Sequence, residues 1–354
     1  MLKNKKRKTM NAKFKFLLLL LVFSQMSAQA EKYKKRIYQG YLKSQVTALN
    51  ISNKFGNIEI NDFGGDSVTL EAVVLVDDVP GDKARQILDH INIYIKKNGR
   101  EIEARTVIAD NFKTKGNFSI NYKINIPQNR DLAVSNKFGN VVMNDLAGKG
   151  HFEIAYGNLT AGNLKSPVNA TLWLSLSYGK GDIGSVNEMN GEIKYSKLYL
   201  GNAGNIAIES KYSGLNADRL ANLHLDSKYD EIRINEITGI SSVSKYTNYT
   251  FGKLFRNMII DTEYGSLRID EVSPDFEAIQ INNSYGGIAM GLTGKSYLLD
   301  AECDYCDIKY PSGEFRGSRI KNSHVLKVKG SVGSDHSGKK VYIRSRYGGI
   351  NLNK

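Results

Sequence analysis

Six lysines, two cysteines and one run of carboxylates are the residues whose spacing in this chain could do chemistry. Lys54, Lys137, Lys194, Lys211, Lys228 and Lys245 each stand immediately before an aromatic residue, and the last four are spaced 17 apart. Stacked in a line, such lysines would form a rail for an acidic polymer, although like charges in register repel. Glu153, Glu192, Glu209, Asp226, Asp261 and Glu302 lie two positions earlier in the same pattern, so the two columns largely cancel and a solvated charge ladder is the expected reading, with the rail as the alternative. Cys303 and Cys306 form a CxxC in "DAECDYCDIKY". The expectation is two small core and corner residues, which could oxidise to a disulfide after export, since the context has no helix N-terminus to activate a thiol. Asp300, Glu302 and Asp304 share one strand face and Asp307 follows, an oxygen set that could hold Ca²⁺ or simply be an acidic surface. His90, His151, His224, His324 and His336 are scattered and match no metal spacing. No acid pair or nucleophile with a base stands out, so an enzyme is not expected and no cofactor is implied.

These residues are positioned by a repeat. "SNKFGN" occurs identically at 52–57 and 135–140. Aligned on its aromatic, the pattern returns at Phe55, Phe138, Tyr156, Tyr178, Tyr195, Tyr212, Tyr229, Tyr246, Tyr264, Tyr285, Tyr305 and Tyr347. From Phe138 to Tyr305 the spacing is 17–22 residues, and the final gap of 42 leaves room for a degenerate copy near "IKNSHVLKV". In "LHLDSKYDEIRI", Leu223, Leu225, Ser227 and Tyr229 share a parity that Ile232 and Ile234 do not, so a corner follows the aromatic. Glycine or a small residue after each aromatic suits a left-handed corner. By parity the rings face inward, where Ser210, Ser227 and Ser244 could receive their hydroxyls.

A unit this short cannot bury its apolar face alone, whereas stacked units can. The expected fold is all-β: a parallel β-solenoid of about twelve 17–22-residue coils, with an antiparallel meander as the alternative. Residues 61–132 interrupt the stack. They contain three strand-like stretches and one helix, "GDKARQILDHI", for which Asp82 is the expected N-cap. This segment reads as a small N-terminal α+β cap. The other end stops soon after its last corner, at "YGGINLNK", so an uncapped C-terminal coil is expected, through which copies could associate.

Residues 1–30 read as a signal peptide: a basic leader, the apolar "FLLLLLVF" and a small-residue "AQA" site. No cysteine follows the apolar core, so the product is not expected to be a lipoprotein. No later run is long and apolar enough to span a bilayer. Seven cations leave with the leader, so the net charge falls from +13 to +6, ordinary for this length, and no nucleic-acid partner is expected. The division is thus 1–30 signal peptide, 31–132 first coil plus cap, and 133–354 solenoid.

With its "SNKFGN", "SKY" and "YGGI" corners, the chain over roughly 45–354 resembles the putative-adhesin family of exported proteins of unknown function. It is also similar to the related head GIN domain proteins. The resemblance implies a β-helical exported protein without known catalytic residues. The expected role is a non-enzymatic structural or binding surface in the periplasm or at the cell surface, taking envelope glycan or protein. A polysaccharide-acting enzyme on the same scaffold is the alternative.

Overall fold

The computed structural model describes residues 33–354 apart from Phe63, Asn111, 335–337 and Lys354. The expected signal peptide lies outside the described residues. Strands make up 69% of the chain and helix 4%, and the chain winds as a parallel β-solenoid. About nine turns, fewer than the twelve expected, follow one another without interruption in thirteen strands, β8–β20, between Asp131 and Met290. One turn illustrates the core: Leu215, Ala217, Leu220, Leu223 and Leu225 all point inward and are buried. Successive turns repeat these positions in register, so Leu198 lies over Leu215 and Leu215 over Ile232.

Three further aromatic layers lie outside this run. The first consists of β2 (Ala48–Lys54) and β3 (Ile58–Asp62), which stack on the turn at Phe138. Beyond them the N-terminal cap has two walls. In one, β1 (Tyr33–Leu42), β4 (Ser67–Asp77) and β7 (Asn117–Ile126) extend β3; in the other, β5 (Ile91–Asn98) and β6 (Glu101–Ile108) extend β2. The helix Gly81–Asp89 packs Ala84 and Ile87 between these walls. Its N-cap is Pro80 without a side-chain bond; Asp82 instead sits in the first turn, where a carboxylate favours the helix dipole.

The last two layers are out of chain order. After β19 (Ala278–Ser284) and β20 (Ile288–Met290), the chain skips one layer and forms β21 (Tyr297–Asp304) and β22 (Ile308–Lys309). It then makes a hairpin of β23 (Phe315–Asn322) and β24 (Val325–Val332). Finally β25 (Lys340–Arg346) and β26 (Ile350–Asn351) enter the skipped layer. β25 pairs in parallel with β19 on one side and β21 on the other. The expected uncapped C-terminal coil is therefore corrected: the chain end is held between two layers, and β24 pairs antiparallel with β21 to close the far end. The expected degenerate copy near 320–328 is this hairpin.

Candidate functional site

The corner is the repeated site. All twelve anchoring aromatics have left-handed backbone, with φ between 51° and 62°. An L-residue there costs about 1–2 kcal/mol, because its Cβ crowds the following carbonyl. The same conformation breaks the strand alternation and turns the ring outward. The inward reading of the rings is thus corrected: Leu223, Leu225 and Ser227 are buried, while Tyr229 is 48% exposed.

The rings lean on one another instead of on the core. They stack face to face from Phe55 through Tyr285, Tyr347 and Tyr305, with centroids 4.7–5.1 Å apart. His324, at the hairpin tip, closes the column at 4.1 Å from Tyr305. At the other end Phe118 tilts against Phe55. Each contact contributes about 0.5–1.5 kcal/mol beyond burial, enough to offset the left-handed strain. Because the faces are occupied, the column presents ring edges to solvent. It cannot stack sugar rings along its length.

Every letter of "SNKFGN" after the serine now has a physical cause. Asn53 and Asn136 are buried inside the corner and donate to backbone carbonyls, as Asn283 and Ser345 do in other layers. Lys54 and Lys137 point outward and are in register. Phe55 and Phe138 stack. Gly139 is small because a Cβ would overlap the Gly56 carbonyl of the layer before it. This close approach, not positive φ, selects glycine after the aromatic. Asn57 Oδ1 accepts the Asn140 N–H, and Asn140 Oδ1 accepts that of Asn158, each at 2.9 Å. In the middle of the rod, side chains after the aromatic take over this task. Ser196 Oγ accepts from Gly179 at 3.1 Å, Ser213 Oγ from Ser196 at 3.2 Å, and Asp230 Oδ1 from Ser213 at 2.7 Å.

Asp230 is the one carboxylate in that column and is buried. Burial pushes its carboxyl above the ordinary value, opposed by hydrogen bonds from Ser227, Ser213, Ser210 and Lys228. It forms part of the floor of an open groove of about 830 Å³ that runs beside Tyr195, Tyr212, Tyr229 and Tyr246. Lys197, Glu231 and Asn248 line the groove where the chain leaves the corner.

The lysines stand on the strand entering that corner. Lys194, Lys211, Lys228 and Lys245 are consecutive partners in the parallel ladder. Lys194 pairs with Glu192 at 2.5 Å, and Lys245 pairs with Glu263 of the next layer at 2.9 Å. The Glu263 hydrogen bond and charge raise the Lys245 pKa. Among the described residues the ammonium groups of Lys211 and Lys228 make no ion pair, so compensation is incomplete at the centre of the row. Lys137 instead lies over the rings of Phe138 and Tyr156.

Cys303 and Cys306 are joined in a disulfide. It spans the same two corner positions that Ser345 and Gly348 link by a 2.6 Å hydrogen bond. Asp300, Glu302, Asp304 and Asp307 are brought to one region, but three of them face cations. Asp300 meets Arg344 and Lys329, Glu302 meets Lys327 and Arg344, and Asp304 meets His324 and Arg346. Partial burial raises the Asp300 pKa, but the hydrogen bonds and charges of Arg344 and Lys329 hold it below the usual range. Asp307 accepts the Ile308 N–H. No group of three metal-capable side chains forms among the described residues. His90 stacks on Phe112, His151 meets Glu153, and His336 lies outside the described residues.

No family model matches the chain, and no curated protein is significantly similar to it. Several solved structures match the chain at low identity. A putative adhesin from Bacteroides fragilis is 15% identical, with 66% of this chain and 96% of that one covered and a TM-score of 0.38. A putative cell adhesion protein from Clostridium sporogenes is 9% identical over 90% of this chain and 99% of that one, with a TM-score of 0.20. A putative lipid binding protein from Parabacteroides distasonis is 12% identical over 72% and 96%, with a TM-score of 0.31. Identities this low assign no ligand to this chain.

Proposed function

We propose that this chain is a non-enzymatic, exported, adhesin-like binding protein whose working face is the corner ridge. Its ligand is an acidic envelope glycan. The observation that carries this reading is the line of Lys194, Lys211, Lys228 and Lys245 beside a continuous row of ring edges. Neighbouring strands repeat every ~4.8 Å, so a linear polymer would meet one cation per layer and weak contacts would sum along the rod. The disulfide suits an oxidising compartment, the periplasm or the cell surface.

The test is a glycan array probed with the protein and with the Lys194→Ala/Lys211→Ala/Lys228→Ala/Lys245→Ala variant. The proposal expects binding to acidic glycans that the variant loses and that weakens by about tenfold or more between 0.05 and 0.5 M salt. Binding that survives both changes would end the rail reading.

A further inference from the structure

The terminal hairpin contains a strand that closure of the solenoid does not need. β24 pairs with β21 along its whole length and buries Leu326, Val328 and Val332, which closes the last layer. β23 lies beyond it. Arg316–Asn322 are exposed on both faces, and among the described residues no strand pairs with the outer edge of β23. Ordering such a strand costs about 1–2 kcal/mol per residue in backbone entropy, with little burial to offset it.

The open edge has a definite phase. A two-residue loop joins the partners Asn322 and Val325, and the Gly333 N–H donates to Glu314 O at 3.0 Å. Hydrogen-bonded pairs alternate along an antiparallel ladder. The even-numbered residues therefore bond β24, and Gly317, Arg319 and Lys321 turn their N–H and C=O groups to the open side, while the Phe315 N–H donates to Ser312 O.

The charges have a direction as well. Across the sheet the sign alternates from Arg344 and Arg346 on β25, to Asp300, Glu302 and Asp304 on β21, to Lys327 and Lys329 on β24. β23 breaks this alternation by following the cationic β24 with more cations: Arg316 lies on the face of Lys327 and Lys329, and Arg319 and Lys321 lie on the other face opposite Val328 and Leu326. The side chains of these three make no ion pair among the described residues. Two β23 strands pairing with each other would set six cations together. A strand bearing carboxylates would give the cations of β23 the partners that β24 does not supply.

We propose that β23 is a docking edge for an extended acidic segment of a partner protein, captured by β-strand addition. It lies at the rod's end and is independent of the lysine row.

The test uses the full chain and a soluble capped peptide, Thr-Glu-Val-Glu-Thr-Glu-Val-Gly. Controls carry lysine for glutamate, or a proline at the centre. Expected are binding by calorimetry, and amide exchange at Arg319 and Lys321 slowed about tenfold or more in the complex. Arg319→Pro removes an outward N–H without touching a β24 bond, and is expected to weaken binding about tenfold. Arg316→Glu/Lys321→Glu is expected to reverse the preference toward the lysine peptide. Failure of the glutamate peptide to bind would overturn the proposal. So would equal binding of the proline control, which would show charge attraction without strand pairing. A wild-type protein that binds neither peptide while the charge-reversed variant self-associates would assign the cations to guarding the edge.

Discussion

Replacing Tyr229 dissects what the corner trades. Its ring lies 4.8 Å from Tyr212 and 4.7 Å from Tyr246, each within 2° of parallel, on a backbone with φ of 60°. Tyr229→Ala removes both stacked contacts, about 1–3 kcal/mol together, and keeps a Cβ in the left-handed region. Tyr229→Gly loses the same contacts but releases the strain. Even after the greater freedom of glycine in the unfolded chain, it should be about 1 kcal/mol more stable than the alanine variant. Tyr229→Phe should lie within about 0.5 kcal/mol of the parent, since Phe already serves at Phe55 and Phe138. Urea unfolding, read with amide exchange in the layers of Tyr212, Tyr229 and Tyr246, measures all three. Glycine proving worse than alanine, or alanine costing under about 0.5 kcal/mol, would refute the idea that stacking offsets left-handed strain.

Two further outcomes follow from the same corner. In "YGGI", a Cβ on Gly286 would overlap the Gly265 carbonyl, whereas one on Gly287 meets nothing within 4 Å. Gly286→Ala should therefore destabilise by about 1–3 kcal/mol and Gly287→Ala by no more than about 0.5 in urea melts. Asp230 has its pKa raised by burial, so the folded state binds its proton more tightly than the unfolded chain does. Parent stability should rise as pH falls through the folded pKa toward the ordinary aspartate value near ~3.9. Asp230→Ser, which copies Ser213, should be more stable at pH 7, with the gain shrinking over that window; a gain unchanged between pH 7 and pH 4 would contradict the burial argument.

Much of this architecture could be read from residue types. The aromatic spacing located all twelve corners, parity identified Leu223 and Leu225 as core, and the lysine positions proved to be ladder partners. The orientation of the rings was not legible, because alternation extrapolates an extended backbone and nothing in "SKYD" announces a left-handed tyrosine. The small residue after each ring was visible, but its reason is a contact between layers rather than its own φ. The order of the last layers was hidden for a related cause. Tyr285, Tyr305 and Tyr347 carry equivalent local patterns, and equivalence says which positions stack without saying which layer is next. His324 carries no repeat signature at all, yet it occupies the end of the column. The cations facing Asp300, Glu302 and Asp304 could not be read from the local pattern, because Lys327, Lys329, Arg344 and Arg346 come from strands distant in the chain.

The most direct test of the stacked corners is the order of the final layers, read by cross-linking. Ser284 and Arg346 are ladder partners, about 5 Å apart across one strand spacing, whereas Ser284 and Asp304 are separated by two, about 10 Å. With a thiol reagent one methylene long, Ser284→Cys/Arg346→Cys should join within a single chain, and Ser284→Cys/Asp304→Cys should not. A bond in the second pair and none in the first would mean that the corners stack in chain order and would contradict the closed column.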